Sequence, residues 1–220
     1  MAVPAPPAPP ALELASTGIS SNALAITAQL GERPQPTRIS VLRHTMNVLA
    51  GHDVLIAGSL LGPRGSLGLP GRMLTLQALA HRGWRTIARA RTTTNGRYRL
   101  RFRANRTGSE ALRLRFTGDR ADAQSHRRLG ELNVYRLAQA SWYGGGGSLA
   151  CGGDLTEATL GVANKTLPCG TLVTFRYNGR SIRVPVIDRG PYVEGREFDL
   201  TAATKQALGF GDTGEVWSTR

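Results

Sequence analysis

The clearest pattern in the chain is Arg97-Tyr98-Arg99-Leu100-Arg101-Phe102-Arg103, where charged and apolar positions alternate with a period of two. Successive side chains of a strand point to opposite faces. Tyr98, Leu100 and Phe102 therefore share one face and the four arginines the other. A turn-rich connector over 104–110 leads to Leu112-Arg113-Leu114-Arg115-Phe116, which alternates in the same sense. Further strands are predicted at 54–61, 73–80 and 86–91, punctuated by a Gly/Pro loop at 62–71 and the turn Thr94-Asn95-Gly96. Short strands at this spacing predict an antiparallel β-sandwich over residues 37–136.

Residues 137–220 carry a different pattern. Strands are predicted at 171–177 and 180–187, joined by Asn178-Gly179, the dipeptide that best suits a two-residue hairpin turn. A short helix is predicted over 200–208, with Asp199 able to cap its start and Gly209 to stop it. A last strand is expected at 215–218. Several short strands with one small helix suit a compact barrel, so the chain as a whole is expected to be mainly β. Residues 1–36 open with a Pro/Ala-rich run and read as a flexible segment, with a short helix or strand possible at 23–30.

Charge sharpens this division. The net charge of +13 is placed entirely in residues 1–136, which hold 20 arginines, no lysine and seven acids; residues 137–220 are neutral. No run of about eighteen apolar residues exists, so no membrane-spanning helix is expected. The opening residues lack the basic and apolar regions of a signal peptide, and the start reads as that of a mature exported chain. Both cysteines, Cys151 and Cys169, lie in the neutral part. An even pair with no other thiol favours a disulfide and an oxidising compartment, with two buried free thiols as the alternative. A zinc site needs three or four ligands, and residues 137–220 contain no histidine, so no metal or other cofactor is expected.

Five elements of residues 137–220 point to a family. They are Ala140-Ser141-Trp142-Tyr143-Gly144; Ala163-Asn164-Lys165-Thr166-Leu167-Pro168-Cys169-Gly170-Thr171; the Asn178-Gly179-Arg180 hairpin; Asp188-Arg189-Gly190-Pro191; and Phe198-Asp199-Leu200-Thr201. In this order and spacing they resemble the rare-lipoprotein-A (RlpA) family, septal lytic transglycosylases. The resemblance implies a six-stranded double-psi β-barrel over 137–220 that acts on peptidoglycan glycan outside the cytoplasm. Residues 37–136 are similar, by pattern alone, to the Ig-like modules appended to bacterial surface enzymes.

The resemblance and the residues together nominate a site. Asp188 follows an apolar strand and precedes a Gly-Pro turn, so its carboxylate should emerge at a strand end, where burial would favour the protonated acid that glycosidic cleavage needs. It could equally close the turn through its side chain. Asp199 reads either as the helix cap or as a second catalytic carboxylate, since related double-psi barrels, the expansins and family-45 endoglucanases, use an aspartate in a similar element. Lytic members usually carry Ala-Ser-Gly-Glu where this chain has Ala150-Cys151-Gly152-Gly153; Asp154, one residue later, is the candidate substitute. The usual histidine is replaced by Asn164, which can hydrogen-bond sugar but cannot shuttle protons. Tyr143, Asn164, Arg189 and Tyr192 are the expected substrate contacts, with Trp142 expected in the core.

Two functions compete on this reading: a lytic transglycosylase, with Asp188 as acid/base assisted by Asp199 or Asp154, and a non-catalytic, expansin-like wall-binding module. Arg97, Arg99, Arg101, Arg103, Arg113 and Arg115 form a basic ladder whose expected partner is an anionic envelope polymer. Nucleic acid is the remote alternative, because no stacking platform or nucleic-acid-binding motif accompanies the arginines.

Overall fold

The structure is a computed structural model, and it describes residues 33–63 and 67–220. The segment expected to be flexible over 1–36, with its ambiguous element at 23–30, lies almost wholly outside the described residues. Its last part does not stand apart from the fold: Gln35 bridges to Asp122 in parallel, giving its N–H to the Ala121 carbonyl.

Among the described residues, fifteen strands and one helix follow in chain order: β1 (Arg38–His44), β2 (Asn47–Leu49), β3 (His52–Leu61), β4 (Met73–Ala80), β5 (Gly83–Arg91), β6 (Arg97–Ala104), β7 (Gly108–Phe116), β8 (Ser125–Tyr143), β9 (Gly147–Ser148), β10 (Asp154–Leu155), β11 (Val162–Ala163), β12 (Leu172–Tyr177), β13 (Arg180–Asp188), β14 (Phe198–Thr201), α1 (Ala202–Leu208) and β15 (Gly214–Ser218). The mainly β expectation is met.

Strands β1-β3-β6 form one sheet, and β5-β4-β7-β8 face it, with β2 added in parallel to β8. Their apolar faces meet. Val54, Ile56, Leu60 and Leu100 come from the first sheet; Leu74, Leu76, Leu112, Leu114 and Phe116 come from the second, all buried in one core. The alternation in 97–103 has the expected consequence: Tyr98 and Leu100 are buried while the arginines face solvent. Tyr98 keeps its polar end satisfied by donating to the Ser40 carbonyl at 2.7 Å, and burial raises its pKa. Strand β7 starts at Gly108, inside the stretch expected to be a connector.

The remaining strands close into a ring. The order β14-β11-β13-β12-β15-β8 returns on itself because β14 also pairs with β8, which makes a six-stranded barrel. Its core is Val162, Val173, Phe175, Val184, Val186, Phe198, Leu200, Leu208 and Val216, with Phe175 and Phe198 meeting edge to face at 5.1 Å. The Asn178-Gly179 turn has positive φ at both positions (44° and 85°), which the right-handed twist of a tight hairpin requires.

The helix begins later than expected. Strand β14 runs through Thr201, and Thr201, not Asp199, is the cap, its hydroxyl accepting from the Thr204 N–H. Gly209 ends the helix in the left-handed conformation (φ 67°), as its position suggested.

Strand β8 is the structural link. Its nineteen residues pair with β7 and β2 in the first part and with β14 and β15 in the second. Tyr135, at the crossing point, is fully buried; it stacks near Trp217 at 5.7 Å and donates to Asn47 Oδ1 at 2.8 Å. Ser109 and Thr174 hydroxyls meet at 3.3 Å across the junction, and Arg183 pairs with Glu131 at 2.9 Å.

This continuity predicts coupled unfolding. Leu114→Ala removes a fully buried side chain and is expected to cost about 2–5 kcal/mol. Scanning calorimetry should show one transition shifted as a whole. A low-temperature peak for the sandwich beside an unmoved barrel peak would show that β8 does not transmit the loss.

Candidate functional site

A single lateral row across the barrel assembles the candidate carboxylates. Asp188, the last residue of β13, lies opposite Ala163 of β11; Ala163 lies opposite Asp199 of β14; and Asp199 lies opposite Ser141 of β8. Residues directly opposite in neighbouring strands share a face. Asp188 and Asp199 are thus two strand spacings apart, roughly 10 Å between backbones, with the smallest branched-free side chain, that of Ala163, between them. The register thus puts the two aspartates on the same face of the barrel wall.

Each carboxylate is held. Asp188 Oδ1 accepts from the Ala150 N–H at 2.9 Å and from the Arg189 N–H at 2.8 Å, so it does close a turn with its own neighbour as well as tie down a distant loop. Asp199 Oδ1 accepts from the Ser141 hydroxyl. Both carboxylates remain half-buried.

Tyr143 sits at the end of β8, next to this row. Its hydroxyl is buried and makes no hydrogen bond of normal geometry. Burial chiefly, then the Asp188 carboxylate and more weakly that of Asp199, raise its pKa and keep the phenol protonated. The hydroxyl therefore faces the Asp188 carboxylate, which is its one acceptor within reach, without a hydrogen bond of good geometry to it, and a ligand oxygen can compete for that donor. Trp142 was expected in the core and is instead on the outside: it is 39% exposed, its indole N–H donates to Asp212 Oδ1 at 2.9 Å, and the Lys205 ammonium lies 3.9 Å from its ring centre. Trp142 lies opposite the core residue Leu200 near the end of β8, where Asp212 and Lys205 take up its indole at the surface.

The other nominated residues have different surroundings. Asn164 is 5% exposed, and its amide is committed: Nδ2 donates to the Glu197 carbonyl at 3.0 Å, while Oδ1 accepts from the Thr166 and Leu167 N–H groups. It braces a loop. Arg189 does related work, donating to the Asn164 and Leu167 carbonyls at 3.1 and 2.9 Å and to Cys169 Sγ at 3.2 Å. Tyr192 follows the cis Gly190–Pro191 bond and is 81% exposed. Asp154 is exposed on β10 and accepts from the Ser148 hydroxyl at 3.1 Å.

Cys151 and Cys169 form a disulfide with their Cα atoms 5.7 Å apart. The bridge joins two loops that both touch Asp188: Ala150 donates to its carboxylate, Cys151 donates to the Ile187 carbonyl at 3.1 Å, and Arg189 reaches from Asp188 to the Cys169 loop. Gly153, standing where the lytic pattern has Glu, has φ 81°. A side chain there would pay roughly 1–2 kcal/mol for the left-handed backbone, so this loop is shaped for glycine.

Sequence reasoning passed over Ser141, whose hydroxyl holds Asp199; β8 is rich in polar residues, so nothing in its local pattern singles this one out. It also passed over the four-glycine run 144–147, of which Gly144, Gly145 and Gly146, with Leu155, Thr156, Glu157 and Ala202, line a cleft of about 280 Å³.

The family model described as "Lytic transglycolase" matches residues 137–217. The chain is 42% identical over 92 residues to "Probable endolytic peptidoglycan transglycosylase RlpA" of Aquifex aeolicus, covering 37% of this chain and 41% of that protein. It is 37% identical over 92 residues to "Endolytic peptidoglycan transglycosylase RlpA" of Pseudomonas aeruginosa, covering 39% of this chain and 27% of that one. The chain thus spans well under half the length of these relatives. Among solved structures, the Streptomyces papain inhibitor (SPI) is 28% identical, with 38% of this chain and 91% of that chain covered and a TM-score of 0.33.

Replacing both cysteines by serine opens a loop closed over 18 residues and is expected to cost about 3 kcal/mol by the chain-entropy estimate. Equilibrium urea unfolding of the oxidised wild type against the double variant reads this; equal stabilities would mean the loops are held by other contacts. The match over 137–217, the closed six-stranded ring and the aspartate row together identify this part of the chain as an RlpA-like double-psi β-barrel.

Proposed function

We propose that this chain cleaves peptidoglycan glycan as a lytic transglycosylase, outside the cytoplasm. The observation that carries the reading is the row Asp188–Ala163–Asp199–Ser141, with the buried Tyr143 hydroxyl facing it.

The chemistry requires a proton at the leaving glycosidic oxygen and help for an oxocarbenium-like centre. Asp188 is assigned as the group that gives a proton to the oxygen leaving the muramic C1, its position fixed by the Ala150 and Arg189 N–H groups. The same carboxylate then takes the proton of the muramic C6 hydroxyl as that oxygen bonds to C1. A 1,6-anhydro end forms, no water is consumed, and Asp188 ends as it began. Asp199, held by Ser141, stays available as the negative charge facing the centre. Tyr143 contributes a donor to a sugar oxygen. The Asn164 and Gly153 substitutions do not remove this pair, because neither position supplies a carboxylate in the row. Asp154, Arg189 and Tyr192 remain candidate contacts at the groove margin, and the basic first part is read as engaging anionic envelope polymers.

The second reading, a wall-binding module without catalysis, is favoured by the loss of the family's Glu at Gly153. Purified sacculi separate the two. The wild type should release 1,6-anhydro muropeptides detectable by mass spectrometry, and Asp188→Asn should reduce release by about 100-fold or more, within the usual yield of a general acid–base group. Sedimentation with sacculi and no products from the wild type would establish the binder.

Tyr143→Phe offers an independent check. Removing an unpaired buried hydroxyl should leave the melting temperature unchanged or higher, while glycan release falls. Loss of stability in this variant would mean the hydroxyl has a structural partner and no substrate role.

A further inference from the structure

The six arginines expected to form one ladder do not lie together. Arg97, Arg99, Arg101 and Arg103 are on β6, in the sheet β1-β3-β6; Arg113 and Arg115 are on β7, in the sheet packed against it. The outward faces of two stacked sheets look in opposite directions. The molecule therefore has two basic faces, and they differ.

On the β6 face, Arg101 is answered by Asp53, with Nε donating to Oδ2 at 2.9 Å. Among the described residues, Arg101 alone of the four β6 arginines has a carboxylate partner, and on the other face neither Arg113 nor Arg115 has one. Register places Arg113 directly opposite Arg128 of β8, Arg115 opposite His126, and Thr75 of β4 between Arg115 and Arg89 of β5. Among the described residues, Arg89, Arg113, Arg115 and Arg128 form no salt bridge with any acid. Like charges directly opposite across a sheet destabilise it. The effect is visible at Arg113, whose pKa is lowered by desolvation first and then by Arg115 and Arg128.

We propose that this face, Arg89, Arg113, Arg115 and Arg128 on β5, β7 and β8, is a docking surface for a linear phosphodiester polymer of the cell envelope, of the polyol-phosphate type. The partner class follows from three features. Guanidinium groups bind phosphate oxygens with paired, directional hydrogen bonds. The surface is the flat outside of a sheet, suited to an extended chain. Its one indole offers no open stacking platform for bases: the Trp84 ring is covered by the Arg113 guanidinium at 4.2 Å, and Gln77 fixes that guanidinium by accepting from its Nε at 2.8 Å, which leaves the imidazole of His126 as the aromatic ring on this face. Repulsion among the arginines is then relieved only when the polymer is bound.

This deepens the reading of the basic part as an anchor for anionic envelope polymers and rests on it, but not on catalysis. Strand β8 carries Arg128 at one end and Tyr143 at the other, so a polymer held on this face would keep the barrel at the wall.

The test uses the full chain, purified poly(glycerol phosphate) and a mixed-sequence DNA duplex, with affinities measured against salt. Arg89→Gln, Arg115→Gln and Arg128→Gln are combined in one variant, since no side-chain bond of these three is lost. Arg97→Gln, Arg99→Gln and Arg103→Gln form the control on the opposite face. The first variant should bind poly(glycerol phosphate) at least about 30-fold more weakly, with the log–log salt slope reduced by about 2–3, since each phosphate contact contributes about 0.7–0.9. It should melt no lower than the wild type, and its release of muropeptides from soluble glycan should be unchanged. The control should change affinity less than about 3-fold. Equal losses in both variants would overturn the assignment to this face while leaving an anionic partner in place. Absence of wild-type binding to the polymer would sink the anchor reading itself, and tighter binding to DNA than to poly(glycerol phosphate) would make the partner nucleic acid.

Discussion

The structure depends on one strand whose backbone serves two cores. Strand β8 gives hydrogen bonds to β7 and β2 over its first half and to β14 and β15 over its second. A buried strand must satisfy every N–H and C=O. A single extended segment that does so on both sides of a boundary leaves no flexible joint at residues 136–137. Tyr135 and Trp217, packed at that boundary, and Arg136, ion-paired with Glu197, tie the two parts on either side of the crossing. The direction in which the sandwich points is therefore set by the same register that closes the barrel.

That register also makes the candidate site. Asp188, Asp199 and Ser141 come from three different strands and converge only because β11 and β14 place them opposite one another. Loop positions act as supports. Asn164 and Arg189 spend their polar groups on backbone carbonyls and N–H groups, and the disulfide fastens the loops that contact Asp188. A site built in this way has rigid carboxylates on strands and a braced rim. Its least satisfied atom, the Tyr143 hydroxyl, is the one placed to gain from a bound ligand.

The electrostatics divide along the same seam. Residues 137–220 are neutral, so the glycan recognition proposed for them would rest on hydrogen bonds and shape. The sandwich carries the whole net charge and spreads it over two outward faces, of which only one has a carboxylate answer at its centre. Two binding modes, one for sugar and one for phosphate, would be held at a fixed separation by β8.

Local chemistry alone determined a good deal. Period-two alternation marks β6 and the end of β7, Asn178-Gly179 marks the hairpin, Gly209 the helix stop, and the paired cysteines the disulfide, because each depends on neighbours a few residues away or on a chemistry with few alternatives. The five ordered elements from Ala140 to Thr201 carried the barrel family. Tertiary structure decided the rest. Strand β8 was hidden because Ser125–Leu132 does not alternate, its bulge and exposed edge accepting arginines on both faces. The cap passed from Asp199 to Thr201 because pairing with β8 extends β14 by two residues, and this freed Asp199 to face Ser141. Trp142 reaches the surface beside Asp212 and Lys205, Asn164 is buried by its own loop hydrogen bonds, and the single arginine ladder split in two. Facing in a sheet is fixed by register between strands distant in sequence, and no local pattern contains that information.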